Sequence, residues 1–142
     1  MYIHLLRADI ESLKVDAMVA PADGQSHETS GRAVVVTGGN LLARFIIHVT
    51  VPDVTEPDAE GRLHAATLTA LERAEELAVA SVGFPPIGIA FGFSLEECAR
   101  VMIPAALEHR SRARSLQRAV FCLFGREEHA VFARVLQGLG EE

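Results

Sequence analysis

The sequence predicts an α/β domain: a largely parallel sheet with helices on its faces and a hairpin at one edge. Three observations carry this reading. Short apolar, β-branched runs alternate with helix-period segments through the second half of the chain, the pattern of parallel strands joined by crossover helices. "VDAMVAPA" is a near-continuous apolar run, which suits a strand covered on both faces. "RAVVVT" and "RFIIHVTV" are two β-branched runs, and "GGN" (Gly38 to Asn40) between them can supply the positive φ angles of a tight hairpin.

Each element follows in chain order. "YIHLLR", from Tyr2 to Arg7, is a short apolar strand, and "DIESL" after it is a loop or a single helical turn. "VDAMVAPA" is the second strand. "DGQSHETSG", Asp23 to Gly31, is polar and glycine-bounded, hence a loop. The two hairpin strands come next, then the proline-bearing loop "PDVTEPD". A helix begins near Asp58 or Ala59. Its buried stripe is Leu63, Thr67, Ala70, Leu71, Ala74, Leu77 and Ala78, with Arg73, Glu75 and Glu76 on the solvent side. "ASVGFPPI" is the next strand. Ser94 and Glu97 form a capping box that opens a helix from Leu95 to about His109, and Pro104 inside it removes one backbone bond. "RAVFCLF", Arg118 to Phe124, is the last strand. "EEHAVFARVLQGL" closes the chain as a helix. Glu127 and Glu128 favour its N-terminus, and Val131, Phe132, Val135, Leu136 and Leu139 form its buried stripe.

Composition narrows the function classes. The 142 residues are enough for one domain with a sizeable core, and 49 % are hydrophobic. No apolar run approaches the roughly 18 residues of a membrane span, and the first residues lack the pattern of a signal peptide. A cytoplasmic location and no membrane partner are therefore expected. The formal charge of −6 argues against nucleic acid as a partner. The one basic cluster (Arg110, Arg112, Arg114, Arg118) falls where a helix ends, where cations suit the negative helix end. Cys98 and Cys122 have no zinc-ligand spacing and read as buried free thiols; no pair of histidines has helix-face metal spacing, and neither metal nor cofactor is expected. Lys14, the only lysine, reads as a surface residue, and His48 as a structural histidine among apolar neighbours.

Four segments, in the right order, resemble the macrodomain family. "ADIESLKVDAMVAPAD" is similar to the family opening. "VTGGNLLARFIIHVTVP" is similar to the next motif, specifically at Gly38, Asn40, Leu41, Ile47 and His48. "FPPIGIAFGFSLEECARVM" resembles the glycine-bearing loop and helix, and "VFCLFGREEHAVF" the final strand and helix. The resemblance covers most of the chain. It implies a three-layer αβα sandwich with a mixed, mostly parallel sheet of about six strands, formed by residues 1–142 as one domain. It also implies a ligand, ADP-ribose or a related adenine nucleotide. By the same resemblance Asp9 accepts a hydrogen bond from the adenine amino group and the backbone of Ile10 meets the adjacent ring nitrogen. Phe124 stacks on adenine, and the amides of Gly88, Ile89, Ala90, Phe91 and Gly92 hold the diphosphate. Read from the residues alone, Asp9 is equally a turn or cap residue, and Phe124 equally a core phenylalanine.

The pattern also departs from the family. A glycine-rich loop and a helix, about twenty residues in the family pattern, are absent after the second strand. Ala20 and Asp23 stand in place of an asparagine pair. The "GIAFG" loop is one residue short and carries Ala90 where a glycine is expected, which disfavours positive φ. Three functions follow as expectations. One is a binding module for ADP-ribose or an adenine nucleotide without catalysis. Another is an ADP-ribosyl hydrolase acting on ADP-ribosylated protein or O-acetyl-ADP-ribose, with Asp23 as the single catalytic candidate. The third is a degenerate domain with a structural role, partnered by a second copy of itself.

Overall fold

The computed structural model describes residues 1–9, 12–23, 33–38 and 42–140. The strands are β1 (Tyr2–Leu6), β2 (Ala17–Asp23), β3 (Ala33–Thr37), β4 (Phe45–Val51), β5 (Ser81–Phe84) and β6 (Arg118–Cys122). The helices are α1 (Ala59–Glu76), α2 (Leu95–Arg110) and α3 (Arg126–Gly138), with a short 3₁₀ turn at Ile89–Phe91. The strands form one six-stranded sheet in the order β1-β6-β5-β2-β4-β3. All neighbours are parallel except β3 and β4, which are antiparallel. The expected α/β class, the mixed sheet and the edge hairpin are all present. Within that hairpin Thr37 pairs with Phe45 and the Gly38 amide donates to the Arg44 carbonyl at 2.8 Å, so the connection runs from Gly38 to Arg44. It is longer than the expected tight turn, and Gly39 and Asn40 lie outside the described residues.

Strand alternation sorts the core onto two faces. Val19, Ile47, Val49, Val82, Phe84, Ala119 and Phe121 point into one large cluster with residues of α1, α2 and α3. Phe84, Phe121 and Phe132 meet there, with ring centroids 5.7 and 5.5 Å apart. The opposite face carries a smaller cluster, in which Leu13 and Val15 of the β1–β2 connection cover Met18, Val120 and Cys122. A second helix layer is not among the described residues. No helix among them is long and apolar enough to cross a membrane.

Two side chains join elements distant in sequence. Asp16, just before β2, accepts the amides of Ala80 (2.9 Å) and Ser81 (3.2 Å) on its carboxylate. Its own amide donates to the Ser81 hydroxyl, and its carbonyl accepts the amides of Arg44 and Phe45. The starts of β2, β4 and β5 are thus fastened to one residue. Glu75 does the same for the helices. It was expected on the solvent side of α1, yet its side chain is fully buried. It receives Nε2–H of His109 at 2.8 Å and the amides of Arg114, Ser115 and Leu116, at 3.1, 2.7 and 3.3 Å. The sequence reading failed here because a helical wheel sees only its own helix, whereas the donors come from α2 and the loop leading to β6. Burial alone would raise the Glu75 pKa; the hydrogen bonds from His109 and the three amides outweigh it and hold the carboxyl down at about 2.

The helix ends refine two further expectations. Ala78 does not extend the α1 stripe: it is exposed, adopts φ 57° and terminates the helix. Leu139 falls just beyond α3 and is 46 % exposed. The Ser94–Glu97 capping box is present, with Glu97 N to Ser94 Oγ at 3.0 Å and Ser94 N to Glu97 Oε1 at 2.8 Å. Both cysteines are free and buried.

Two substitutions test these joints. Glu75→Gln should lower unfolding free energy by roughly 3 kcal/mol at about pH 7. The folded pKa lies below the unfolded one. The contribution is therefore complete above 4.5 and is lost as pH falls towards about 2, where wild type and variant should converge in denaturant titrations. Ala78→Gly, which removes a β-carbon from a left-handed position, should stabilise the domain by about 1 kcal/mol in the same assay.

Candidate functional site at the carboxyl ends of the strands

The sheet order places the expected ligand crevice of an open α/β sheet where β2 and β5 adjoin. The chain leaves β2 towards β3 and β4 on one side and leaves β5 towards β6 on the other, and such a reversal is where open α/β sheets hold ligands. The β2–β5 ladder comprises only Ala17↔Val82 and Met18↔Gly83. Beyond it β2 continues beside β4 alone, with Ala20 opposite His48 and Pro21 opposite Val49. Pro21 has no amide to donate, so its ring fits a strand whose other edge is open.

The residues expected to touch ligand lie along this same end of the sheet. Asp9 follows β1 and is exposed; its carbonyl accepts the Ser12 amide at 3.0 Å and the Ser12 hydroxyl at 2.9 Å. Phe124 lies two positions past the end of β6, which stops at Cys122 rather than at Phe124 as expected. It is 73 % exposed, which removes the reading as a core phenylalanine. The two segments are tied together. The Leu123 amide donates to the Leu6 carbonyl at 2.8 Å, and the Cys122 thiol donates to the Ala8 carbonyl at 3.0 Å. Burial raises the Cys122 pKa, and the carboxylates of Asp9 and Glu128 add to the effect, so the thiol keeps the proton it donates. Ala20 is half-buried in β2. Asp23 closes β2; its side chain, like residue Ile10, lies outside what is described.

The segment from Gly88 to Gly92 follows β5 as a 3₁₀ turn. Its amides are largely turned inward. Ile89 donates to the Pro86 carbonyl (3.4 Å), Phe91 and Phe93 to that of Gly88 (3.0 and 3.1 Å), and Gly92 to that of Ile89 (3.3 Å). The Gly88 amide meets the Cys98 thiol, whose pKa burial pushes up to about 11 despite that contact. Ile89 is 43 % exposed and Ala90 is exposed, so the turn presents an apolar surface to solvent. Both glycines have packing reasons. A β-carbon on Gly92, at φ 96°, would lie 2.5 Å from Cγ1 of Val54, and one on Gly88 would lie 2.9 Å from the Phe93 ring and 3.0 Å from Sγ of Cys98. Sequence spacing gave the location of this turn but not the direction of its amides, which depends on carbonyls only the folded turn brings near. Among the described residues no group of three His, Cys, Asp or Glu side chains could hold a metal ion.

Fold and strand order together define an α/β domain whose mixed sheet has its topological switch point between β2 and β5. The Macro domain model matches residues 14–102, and the chain belongs to that family. An uncharacterized protein of Mycobacterium tuberculosis is 34 % identical over 113 residues, which are 79 % of this chain and 31 % of that protein. The chain thus spans about a third of the length of that relative. A macro domain-containing protein of Caldanaerobacter subterraneus is 26 % identical, with 96 % of this chain and 97 % of the relative aligned over 170 positions. An Oceanobacillus iheyensis macrodomain mutant with ADPR shares the fold at a TM-score of 0.88 and 18 % identity, covering 97 % of this chain and 93 % of that one. The same macrodomain with ADP superposes at 0.86, over 95 % of this chain and 90 % of that one.

Replacing the two glycines should separate strain from crowding. Gly92→Ala should cost about 2 kcal/mol in denaturant unfolding, because it combines positive φ with a clash against the Val54 side chain, whose own amide is tied to the Phe91 carbonyl. Gly88→Ala, at an ordinary φ, should cost less, as Phe93 and Cys98 can shift.

Proposed function

We propose that this chain is a reduced macrodomain that binds ADP-ribose or a related adenine nucleotide in the crevice, as a binding module rather than a catalyst. One observation carries the reading: Phe124, a large aromatic with 73 % of its surface exposed, stands at the carboxyl end of parallel strands, on a segment hydrogen-bonded to the one that carries the exposed Asp9. An exposed ring is a stacking platform for a base. A carboxylate on the adjoining segment only accepts hydrogen bonds and so selects an exocyclic amine. The adenine ligands in the Oceanobacillus structures support the ligand class.

The adenine end is expected to supply most of the affinity. Most amides of the Gly88–Gly92 turn already serve nearby carbonyls or Cys98, so few remain for a diphosphate. The segment after Asp23 is short in this reading, and the alignment to the Caldanaerobacter relative, longer than this chain, supports a deletion. The hydrolase alternative rests on Asp23 alone, and no described side chain favours it.

Thermal unfolding with ADP-ribose, ADP and AMP tests the proposal. All three should raise the midpoint at millimolar concentration, with AMP within several-fold of ADP-ribose in affinity. Asp9→Ala should remove the shift, and Phe124→Ala should weaken binding by about tenfold or more, the loss of one base–aromatic stack. Silence from all three nucleotides would sink the reading.

A further inference from the structure

The sheet ends at β1, which among the described residues pairs with β6 alone. In a parallel ladder both main-chain groups of a residue point to the same side, and successive residues alternate. The Tyr2 amide donates to the Gln117 carbonyl and the Leu6 carbonyl accepts the Leu123 amide, so Tyr2, His4 and Leu6 serve β6. The amides and carbonyls of Ile3 and Leu5 therefore face outward along the free edge. They open on a groove of about 360 Å³ between β1 and α3, lined by Ile3 to Leu6 and by His129, Ala133, Leu136 and Gln137. Natural sheet edges are usually blunted by a charge, a proline or a bulge. Tyr2–Leu6 has none of these: its register with β6 is unbroken, and the first charged side chain along the chain is Arg7.

The side chains of this strand fit a second copy of the same strand. Tyr2 and Leu6 are 74 % and 39 % exposed, and they share one face with the exposed His4, whose ring centroid lies 6.2 Å from that of Tyr2. Ile3 and Leu5 lean the other way, against the core beneath α3. Antiparallel pairing through the outward main-chain groups sets Ile3 opposite Leu5 of the second copy, in hydrogen-bonded pairs. The same register sets Tyr2 opposite Leu6 twice over, and His4 opposite His4 on the two-fold axis. Each exposed apolar side chain thus meets another. A shift of two residues either way leaves Tyr2 or Leu6 without that counterpart. Ala133 lies midway between His129 and Gln137 on the helical wall of the groove, and its small side chain leaves room for α3 of the second copy. No carboxylate lines the groove, although the chain carries a net charge of −6, so two copies meet here with little repulsion. A strongly charged peptide would find no opposing charge along it.

We propose that the chain self-associates through β1, as a two-fold dimer in which the six-stranded sheets of two copies join into one. The contact consists of two short strands and the flanks of two helices, less than about 1,200 Å² in total, which is the size of weak and reversible associations. It stands whether or not the crevice binds a nucleotide, so neither reading depends on the other.

Sedimentation equilibrium between about 10 μM and about 1 mM tests this, the range in which weak interfaces assemble. A reversible monomer–dimer equilibrium is expected. Amide hydrogen exchange over the same range should slow at Ile3 and Leu5 and stay unchanged at Tyr2 and His4, whose amides already serve β6. His4→Lys and His4→Glu, at an exposed position that folding should tolerate, should each weaken dimerisation several-fold, because like charges then face each other at the axis. An equimolar mixture of the two variants should restore it, because opposite charges then meet there. That restoration is specific to a residue that faces its own copy. A chain monomeric at the highest concentration, which would leave the edge to a strand of another protein, overturns the proposal. So does a dimer that both variants leave unchanged, a mixture as weak as either variant alone, or slowed exchange that spares Ile3 and Leu5.

Discussion

The short ladder between β2 and β5 is the constraint on which the rest of the architecture depends. Two residue pairs hold these strands together, and Asp16 fastens the end from which both start. One carboxylate oxygen accepts two consecutive amides of the incoming β5 chain, and the adjoining carbonyl anchors β4. With that end fixed, the strands need not pair further. Pro21 could not have donated to a longer ladder, and the ladder ends at the edge where open α/β sheets hold ligands. The same geometry therefore supplies both the centre of the sheet and the opening of the candidate site.

Glu75 plays a comparable part on the helical face. A buried carboxylate is unfavourable unless its oxygens are met, and here five donors from α2 and the following loop converge on it. The gain is positional: the loop amides can reach Glu75 only if α2 ends at its observed height. The amides of Gln117 and Arg118, which both donate to the Ala80 carbonyl, then set the start of β6. Through β6 the arrangement reaches Cys122, the Ala8 carbonyl and the loop that presents Asp9.

Much of the fold was legible because its signals are local. The Ser94–Glu97 box needs only residues three apart, and the stripe from Leu63 to Ala74 needs only the helical repeat. The β-branched runs announced their strands because side chains on a pleated, half-buried surface favour that shape. The misreadings share a cause as well. Glu75, Ala78 and Leu139 were placed by periodicity, but what surrounds them is decided by chain segments far away in sequence or by where the helix stops. Of the candidate site, the positions of Asp9, Phe124 and the Gly88–Gly92 turn at one sheet edge were legible through the family resemblance. Their exposure and hydrogen-bonding were not.

The sequence by itself determined the element order and the α/β class, since these rest on residue types repeated at fixed spacings, and its motifs carried the resemblance to a family. Tertiary structure alone decided which groups are available. Phe124 could have been a core residue as readily as a platform, and only the end of β6 at Cys122 leaves its ring in solvent. The turn after β5 could have offered its amides outward, and only its 3₁₀ closure directs them to its own carbonyls. Availability is a property of what else occupies the neighbouring space, and that space is filled by residues the linear chain keeps far apart.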